Sequence, residues 1–122
     1  MSKYCLVVDD SSVIRKVARR ILEGLTFEVA EAEDGKQAFD ACRERMPDAI
    51  LLDWSMPEMD GFQFLQSLRQ LETRKTPKVV FCTTENDVSQ IARAIHLGAD
   101  EYVLKPFDKT ILTAKFAQVG LI

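Results

Sequence analysis

Four short polar segments of this 122-residue chain carry side chains suited to binding a cation and a phosphate. Asp9 and Asp10 are adjacent, Asp53 follows an apolar run, and Thr83 and Lys105 follow two further apolar runs. Carboxylate ligands without His or Cys favour a hard cation, Mg²⁺ first and Mn²⁺ or Ca²⁺ next. Mg²⁺ usually keeps several waters and shares a phosphate oxygen, and Lys and Thr suit the other phosphoryl oxygens. This chemistry requires a fold that brings the five residues together.

The elements that must position these residues alternate along the chain. Short apolar runs predict strands, and apolar residues spaced three and four apart predict helices between them. Ser11 or Ser12 is a candidate cap for the first helix, and Gly24 is a candidate end for it. The predicted strands contain residues 6–8, 27–32, 49–52, 79–82 and 102–104, and helices follow them from near residues 12, 36, 62, 88 and 108.

Five strand–helix repeats with short connections predict an α/β fold. We expect a five-stranded parallel sheet in the order 2-1-3-4-5 with helices on both faces, as in flavodoxin-like folds. In such a sheet, ligands bind beyond the carboxyl ends of the strands, between strands one and three. The Asp9–Asp10 pair ends strand one and Asp53 ends strand three, while Thr83 and Lys105 end strands four and five.

The predicted crevice contains three carboxylates that repel one another. Without compensation, at least one of them would take up a proton. Three carboxylates carry a charge of −3, which Mg²⁺ and Lys105 together would balance. Asp53 lies between the acidic pair and Lys105, where its carboxylate can attack a phosphorus centre in line. A single aspartate at a strand end is more often a cap or turn residue, so the prediction depends on the joint placement of these residues.

The composition excludes several classes of protein. The chain has 16 Lys and Arg against 19 Asp and Glu, a net charge of −3, and it lacks the basic surface of a nucleic-acid binder. No apolar run is long enough to cross a bilayer, and no signal peptide pattern is present. Three scattered cysteines fit reduced thiols in the cytoplasm. We expect one domain over residues 1–122, with no output domain after the last helix.

Longer motifs around these residues resemble the receiver domain of two-component response regulators, in its stand-alone, single-domain form. The resemblance covers essentially the whole chain. It is carried by VVDDS at 7–11, LLDWSMPEMDG at 51–61, Thr83, and GADEYVLKPF at 98–107. It implies that Asp53 is the phosphoacceptor and that Asp9 and Asp10 hold Mg²⁺. It also implies that the backbone carbonyl of Ser55 is a further metal ligand.

The same resemblance implies a switch. Thr83 would bond the phosphoryl group and Lys105 would pair with it, and the Lys105–Pro106 bond is expected to be cis. Tyr102 occupies the position of the switch aromatic residue. Phosphorylation of Asp53 would draw Thr83 inward, let Tyr102 turn, and change binding at the face of helix four, strand five and helix five.

The implied partners are proteins. A histidine kinase or a histidine phosphotransferase would supply the phosphoryl group, and a downstream target would receive the signal. The chain would be either a diffusible effector, as in chemotaxis, or an intermediate that passes the phosphoryl group on. The first helix is the expected kinase-facing surface, with Val13 and Ile14 beside the acidic pair and Arg15 and Lys16 available to acidic partners. A monomer is expected, and phosphorylation-linked dimerisation stays open.

Other classes of protein make different demands on the sequence. An Mg²⁺-dependent phosphatase with an Asp nucleophile would carry a second Asp two residues later, where Ser11 follows Asp9. A flavodoxin-type electron carrier would need a phosphate loop where Asp9 and Asp10 would repel it. A phosphorylation-independent adaptor remains a further alternative. We expect no enzyme, but a phosphoacceptor that assists its own phosphorylation and slow autodephosphorylation. Trp54, Met46, Met56 and Met59 are expected to pack.

Overall fold

A computed structural model describes residues 3–54, 56, 59–71, 75–84 and 88–122. Strands and helices alternate along the chain in five repeats, as predicted. The strands are β1 (Tyr4–Val8), β2 (Glu28–Ala32), β3 (Ala49–Asp53), β4 (Lys78–Thr83) and β5 (Glu101–Leu104). The helices are α1 (Ser12–Gly24), α2 (Gly35–Glu44), α3 (Gly61–Gln70), α4 (Val88–His96) and α5 (Lys109–Gln118).

All strand pairs are parallel, and the sheet order is β2-β1-β3-β4-β5. This confirms the predicted fold and topology. The register pairs Val8 with Leu52 and Asp53 with Cys82, so the carboxyl ends of β1, β3 and β4 lie along one edge. None of the helices in the described part of the chain is long and apolar enough to cross a membrane.

Two apolar cores cover the two faces of the sheet. Side chains alternate along a strand, so Leu6 and Val8 of β1 enter one core while Cys5 and Val7 enter the other. One core packs the sheet against α2, α3 and α4, and the other packs it against α1 and α5. Every residue of β3 is buried, as expected for a central strand covered on both faces.

Local capping decides where the helices begin. The Ser11 hydroxyl accepts a hydrogen bond from the Ile14 N–H at 3.3 Å, which selects Ser11 over Ser12 as the cap of α1. Asp34, Asp60 and Asp108 cap α2, α3 and α5 in the same way. Because each cap follows shortly after a strand, the helices start close to the carboxyl edge of the sheet.

The end of α1 differs in detail from the prediction. Gly24 is the last helical residue, but the left-handed conformation falls on Thr26, with φ of 69°. The Phe27 N–H bonds to the Leu22 carbonyl, and the Phe27 ring is buried edge-on against Phe116 with centroids 5.5 Å apart. Burial of Phe27 stabilises a turn that Thr26 does not favour by itself.

Several packing predictions are confirmed. Trp54, Met46, Met56 and Met59 pack against the core on the α2–α3–α4 face. The indole of Trp54 lies 5.4 Å from the ring of Phe62, centroid to centroid. The three cysteines are buried and free.

Candidate functional site

Three carboxylates meet at the carboxyl edge of β1 and β3. Asp9, Asp10 and Asp53 each offer one carboxylate oxygen, and these oxygens all lie within 4.8 Å of one another. Asp9 and Asp53 are buried, whereas Asp10 is exposed. The sheet order produces this cluster because β1 and β3 are neighbours, although Asp53 comes 44 positions after Asp9 in the chain.

Asp9 is held through all of its polar groups. Its N–H donates to the Ala32 carbonyl at 3.1 Å, and its own carbonyl accepts from the Arg15 guanidinium at 2.7 Å. One carboxylate oxygen accepts from the Ser11 N–H at 2.9 Å, and the other accepts from Lys105 Nζ at 2.6 Å. These contacts fix the carboxylate in one orientation.

Asp53, the ionisable residue of β3, is buried, with 6% of its surface exposed. The pKa of its carboxyl is raised to about 6, chiefly by burial and also by the negative charge of Asp9, against the opposing effect of Lys105. The buried carboxylate therefore holds its charge at a cost, and a second cation nearby would lower that cost.

Lys105 comes directly after β5 and contacts both Asp9 and Asp53. Its Nζ lies 2.6 Å from Asp9 Oδ2 and 3.2 Å from Asp53 Oδ1, and the side chain is largely buried. Burial acts to lower the pKa of Lys105, but the hydrogen bond to Asp9 and the charge of Asp53 outweigh it, so the pKa is raised. The ammonium group is firmly charged. The Lys105–Pro106 peptide bond is cis, as predicted.

Thr83 and Tyr102 lie on β4 and β5, the two strands that follow β3 in the sheet. Thr83 is buried at the end of β4, and its carbonyl accepts from the Lys105 N–H at 2.8 Å. Tyr102 is half-buried on β5, in register with Phe81. Lys115 Nζ of α5 lies 4.5 Å from the centroid of the Tyr102 ring and 3.5 Å from Glu101 Oε1. A cation–π contact thus ties the predicted switch residue to α5.

The segment after Asp53 is closed by backbone contacts. The Gly61 N–H donates to the Trp54 carbonyl at 2.9 Å, and the Gly35 N–H donates to the Met59 carbonyl at 3.0 Å. Both donors lie at the first residue of a helix, so α3 and α2 hold the two ends of this segment. Ser55, the predicted source of a backbone ligand, lies outside the described residues.

One predicted surface residue is placed differently. Arg15 was expected to be available to acidic partners, and that prediction is wrong. Its guanidinium faces the sheet edge, bonded to the Asp9 carbonyl and 3.0 Å from Glu31 Oε1. Val13, by contrast, is 66% exposed near the start of α1, the helix that follows Asp9 and Asp10. The role of Arg15 depends on how closely the Glu31 side chain of β2 approaches the end of β1, a distance that the predicted strand order does not give.

The acidic cluster fits a hard divalent cation. All three donors are carboxylates, and the raised pKa of Asp53 reflects in part the repulsion that a cation would relieve. Together with Lys105, the three carboxylates carry a net charge of −2, which one divalent ion would neutralise. A soft metal would find no thiolate or imidazole among these ligands.

Comparison with known proteins shows the class. The family model of the response regulator receiver domain matches residues 5–117. The chain is 36% identical over 108 residues to chemotaxis protein CheY of Bacillus subtilis. This match covers 88% of each protein. The chain is 35% identical over 119 residues to the phosphate regulon transcriptional regulatory protein PhoB of Escherichia coli. That match covers 98% of this chain but 52% of PhoB. The chain thus spans about half the length of PhoB.

Solved structures agree in fold. Chemotaxis response regulator CheY4 of Vibrio cholerae superposes with a TM-score of 0.91 at 29% identity, and the match covers 98% of this chain and 99% of CheY4. A putative response regulator from Chloroflexus aurantiacus gives the same TM-score at 27% identity. The chain belongs to the response regulator receiver domains of two-component signalling. Proteins of this family interact with histidine kinases and with downstream targets.

Proposed function

We propose that Asp53 accepts a phosphoryl group from a phosphohistidine of a histidine kinase or a histidine phosphotransferase. The observation that carries the proposal is the placement of a buried carboxylate 3.2 Å from Lys105 Nζ, within the Asp9–Asp10 cluster. A phosphoryl group on Asp53 would lie near the Lys105 ammonium group and near the carboxylates that would hold the metal ion.

The transfer balances as a single displacement. An Asp53 carboxylate oxygen forms the new bond to phosphorus while the phosphorus–nitrogen bond to the imidazole breaks, and the imidazole leaves with the bonding pair and is protonated. Lys105 pairs with an equatorial phosphoryl oxygen, and the Thr83 hydroxyl donates to another. Low exposure of Asp53 and Lys105 makes these interactions stronger than they would be in water.

Asp9, Asp10 and Asp53 are the side chains that would hold Mg²⁺, and the Ser55 carbonyl remains a predicted ligand. Bound Mg²⁺ would supply positive charge to the phosphoryl oxygens as transfer occurs. The chain's own part is to hold the ligands: Asp9 through its four hydrogen bonds, and Asp10 through the peptide that joins it to Asp9.

The output is a change in protein binding rather than catalytic turnover. The proposed sequence begins as Thr83 moves toward the phosphoryl group, after which Tyr102 turns and the face formed by α4, β5 and α5 changes its partners. The exposed end of α1 around Val13 is the proposed kinase-facing surface. Either role, diffusible effector or phosphoryl-passing intermediate, uses the same site. Buried free cysteines support a location in the reducing cytoplasm.

The test is phosphorylation by a small donor. With acetyl phosphate and Mg²⁺, the wild type should gain the mass of one phosphoryl group, and peptide mapping should place it on Asp53. Asp53→Asn should gain none, whereas Asp40→Asn, which removes an exposed carboxylate of α2, should react like the wild type. Labelling that survives Asp53→Asn would overturn the assignment of the acceptor.

A second measurement separates the proposal from a phosphatase. A receiver domain should release phosphate slowly from its own acyl phosphate and should not turn over small phosphate esters repeatedly. Sustained multiple turnover would favour the phosphatase alternative. Phosphotransfer profiling against the histidine kinases and phosphotransferases of the source cell would then identify the pathway through the partner that labels Asp53 fastest.

A further inference from the structure

Arg15 of α1 is buried against the acidic site although it carries no predicted chemical role. Its side chain is only 12% exposed. One terminal nitrogen donates to the Asp9 carbonyl at 2.7 Å, and Nε donates to Glu31 Oε1 at 3.0 Å. The other terminal nitrogen lies 3.8 Å from Glu33 Oε1. The guanidinium therefore links the end of β1 to acidic side chains at the end of β2.

The carbonyl that Arg15 holds belongs to the peptide between Asp9 and Asp10. The turn after β1 is also tied to β2 by the Asp9 N–H, which donates to Ala32. Asp9 has further contacts through its carboxylate, but Asp10 is exposed and depends on this peptide for its direction. A charged donor on the carbonyl is a strong restraint at this point.

We propose that Arg15 is a positioning residue of the cation site, which holds the Asp9–Asp10 peptide so that both carboxylates face Asp53. The inference rests on the proposed function, since it takes these three aspartates as cation ligands. Groups behind the ligands commonly change metal affinity ten- to a hundredfold when they are removed. The acidic residues Glu31 and Glu33 serve to aim the guanidinium.

The sign of the effect separates positioning from simple charge. A guanidinium near a divalent cation repels it, so a role through charge alone predicts tighter Mg²⁺ binding when Arg15 is neutralised. A role in positioning predicts weaker binding, because the exposed Asp10 loses its fixed direction. The two accounts therefore make opposite predictions for the same variant.

Arg19 provides a matched control on the same helix. Its Nε donates to the second oxygen of Glu31 at 2.7 Å, and its terminal nitrogen lies 3.2 Å from Glu23. Arg19→Gln thus removes the same charge and a bond to the same Glu31 carboxylate, but leaves the bond from Arg15 to the Asp9 carbonyl in place. An effect specific to Arg15 then comes through that carbonyl or through the longer, 3.8 Å contact with Glu33.

The experiment is an Mg²⁺ titration of the full chain, followed by Trp54 fluorescence and by calorimetry. Arg15→Gln should raise the dissociation constant roughly tenfold, the lower end of the range for such groups. Arg19→Gln should stay within roughly twofold of the wild type, as expected for a contact outside the site. Arg15→Lys, which keeps the charge but not the forked donors, should fall between them.

Unchanged or tighter Mg²⁺ binding in Arg15→Gln would overturn the proposal, as would an equal loss in Arg19→Gln. Urea unfolding checks that each variant is folded, and if Arg15→Gln is not, Arg15→Lys against Arg19→Lys makes the same comparison. Amide exchange without Mg²⁺ adds an independent readout: the Ser11 N–H should exchange faster in Arg15→Gln and not in Arg19→Gln. A wild type that takes up no Mg²⁺ contradicts the proposed function itself, whereas equal exchange at Ser11 contradicts only the positioning role.

Discussion

Asp53 carries its negative charge where water has little access. Burial is the largest cause of its raised pKa, and the charge of Asp9 adds to it. Lys105 offsets only part of this cost, although its Nζ lies 3.2 Å away. This environment suits the proposed role of Asp53, in which a phosphoryl group adds negative charge and a bound Mg²⁺ ion offsets it.

The raised pKa of Asp53 predicts how the stability of the protein depends on pH in metal-free buffer. The pKa of Asp53 rises from 3.8 when unfolded to about 6 when folded, so the folded state binds more protons between those values. Stability should therefore fall as the pH rises through this window. Asp53→Asn removes the charge and should be more stable than the wild type by roughly 1–3 kcal/mol at neutral pH.

Urea unfolding below, within and above the window measures this difference. The advantage of Asp53→Asn should shrink as the pH falls below about 6 and be lost near the lower value. Asp40→Asn controls for the change in net charge. A neutral-pH stability of Asp53→Asn below that of the wild type would show that Lys105 more than compensates the buried charge.

At the scale of elements, α3 holds the segment that follows the acceptor. A capping box joins Asp60 and Gln63, with the Gln63 N–H 2.8 Å from Asp60 Oδ1 and the Asp60 N–H 3.1 Å from Gln63 Oε1. At Gly61 the helix passes so close to β3 that a Cβ atom would lie 2.5 Å from Trp54 Cα and 2.6 Å from the Asp53 carbonyl oxygen. Both neighbours are backbone atoms, so they cannot move aside by a rotamer change.

Gly61→Ala should therefore destabilise the protein by roughly 1–3 kcal/mol and weaken Mg²⁺ binding, since the Asp53 backbone must shift. Gly24→Ala is the matched control, because a Cβ atom at Gly24 meets nothing within 4 Å. It should stabilise α1 by up to about 1 kcal/mol. Equal effects of the two substitutions on urea unfolding would refute the proposed close contact between α3 and β3.

At the scale of the whole molecule, the proposed cation site joins elements that are distant in sequence. Asp9 and Asp10 follow β1, Asp53 ends β3, and Lys105 follows β5. If Mg²⁺ binds across these strands as proposed, it stabilises the folded state only, because the unfolded chain does not bring the ligands together. The ion should therefore act on global stability as well as on the site.

Thermal unfolding should show this coupling. Mg²⁺ at a hundred times its dissociation constant should add about 2.7 kcal/mol to the stability of the wild type. Asp10→Asn removes an exposed ligand without opening a cavity, so it should keep the fold but lose most of the Mg²⁺-dependent gain. An equal Mg²⁺ response in both proteins would place the ion away from the acidic cluster.

The sequence by itself determined the alternation of elements, the sheet order and the residues at the strand ends. Apolar periodicity reports which segments are strands and helices, and a parallel sheet brings all its carboxyl ends to one edge. That is why Asp9, Asp53 and Lys105, far apart along the chain, were predicted to meet. The structure brings these three side chains together, and their roles in phosphoryl transfer are the proposal above.

Tertiary structure alone decided how each group is held. Arg15 turns toward Asp9 because β2 presents Glu31 beside the end of β1, a contact across sixteen residues that local pattern does not encode. The raised pKa of Asp53 likewise depends on burial beneath neighbouring elements and on its distance to other charges. Local sequence specifies which side chains are available. Electrostatic energies and close packing contacts depend on interatomic distances, and those distances are set only after the strands have paired and the helices have packed.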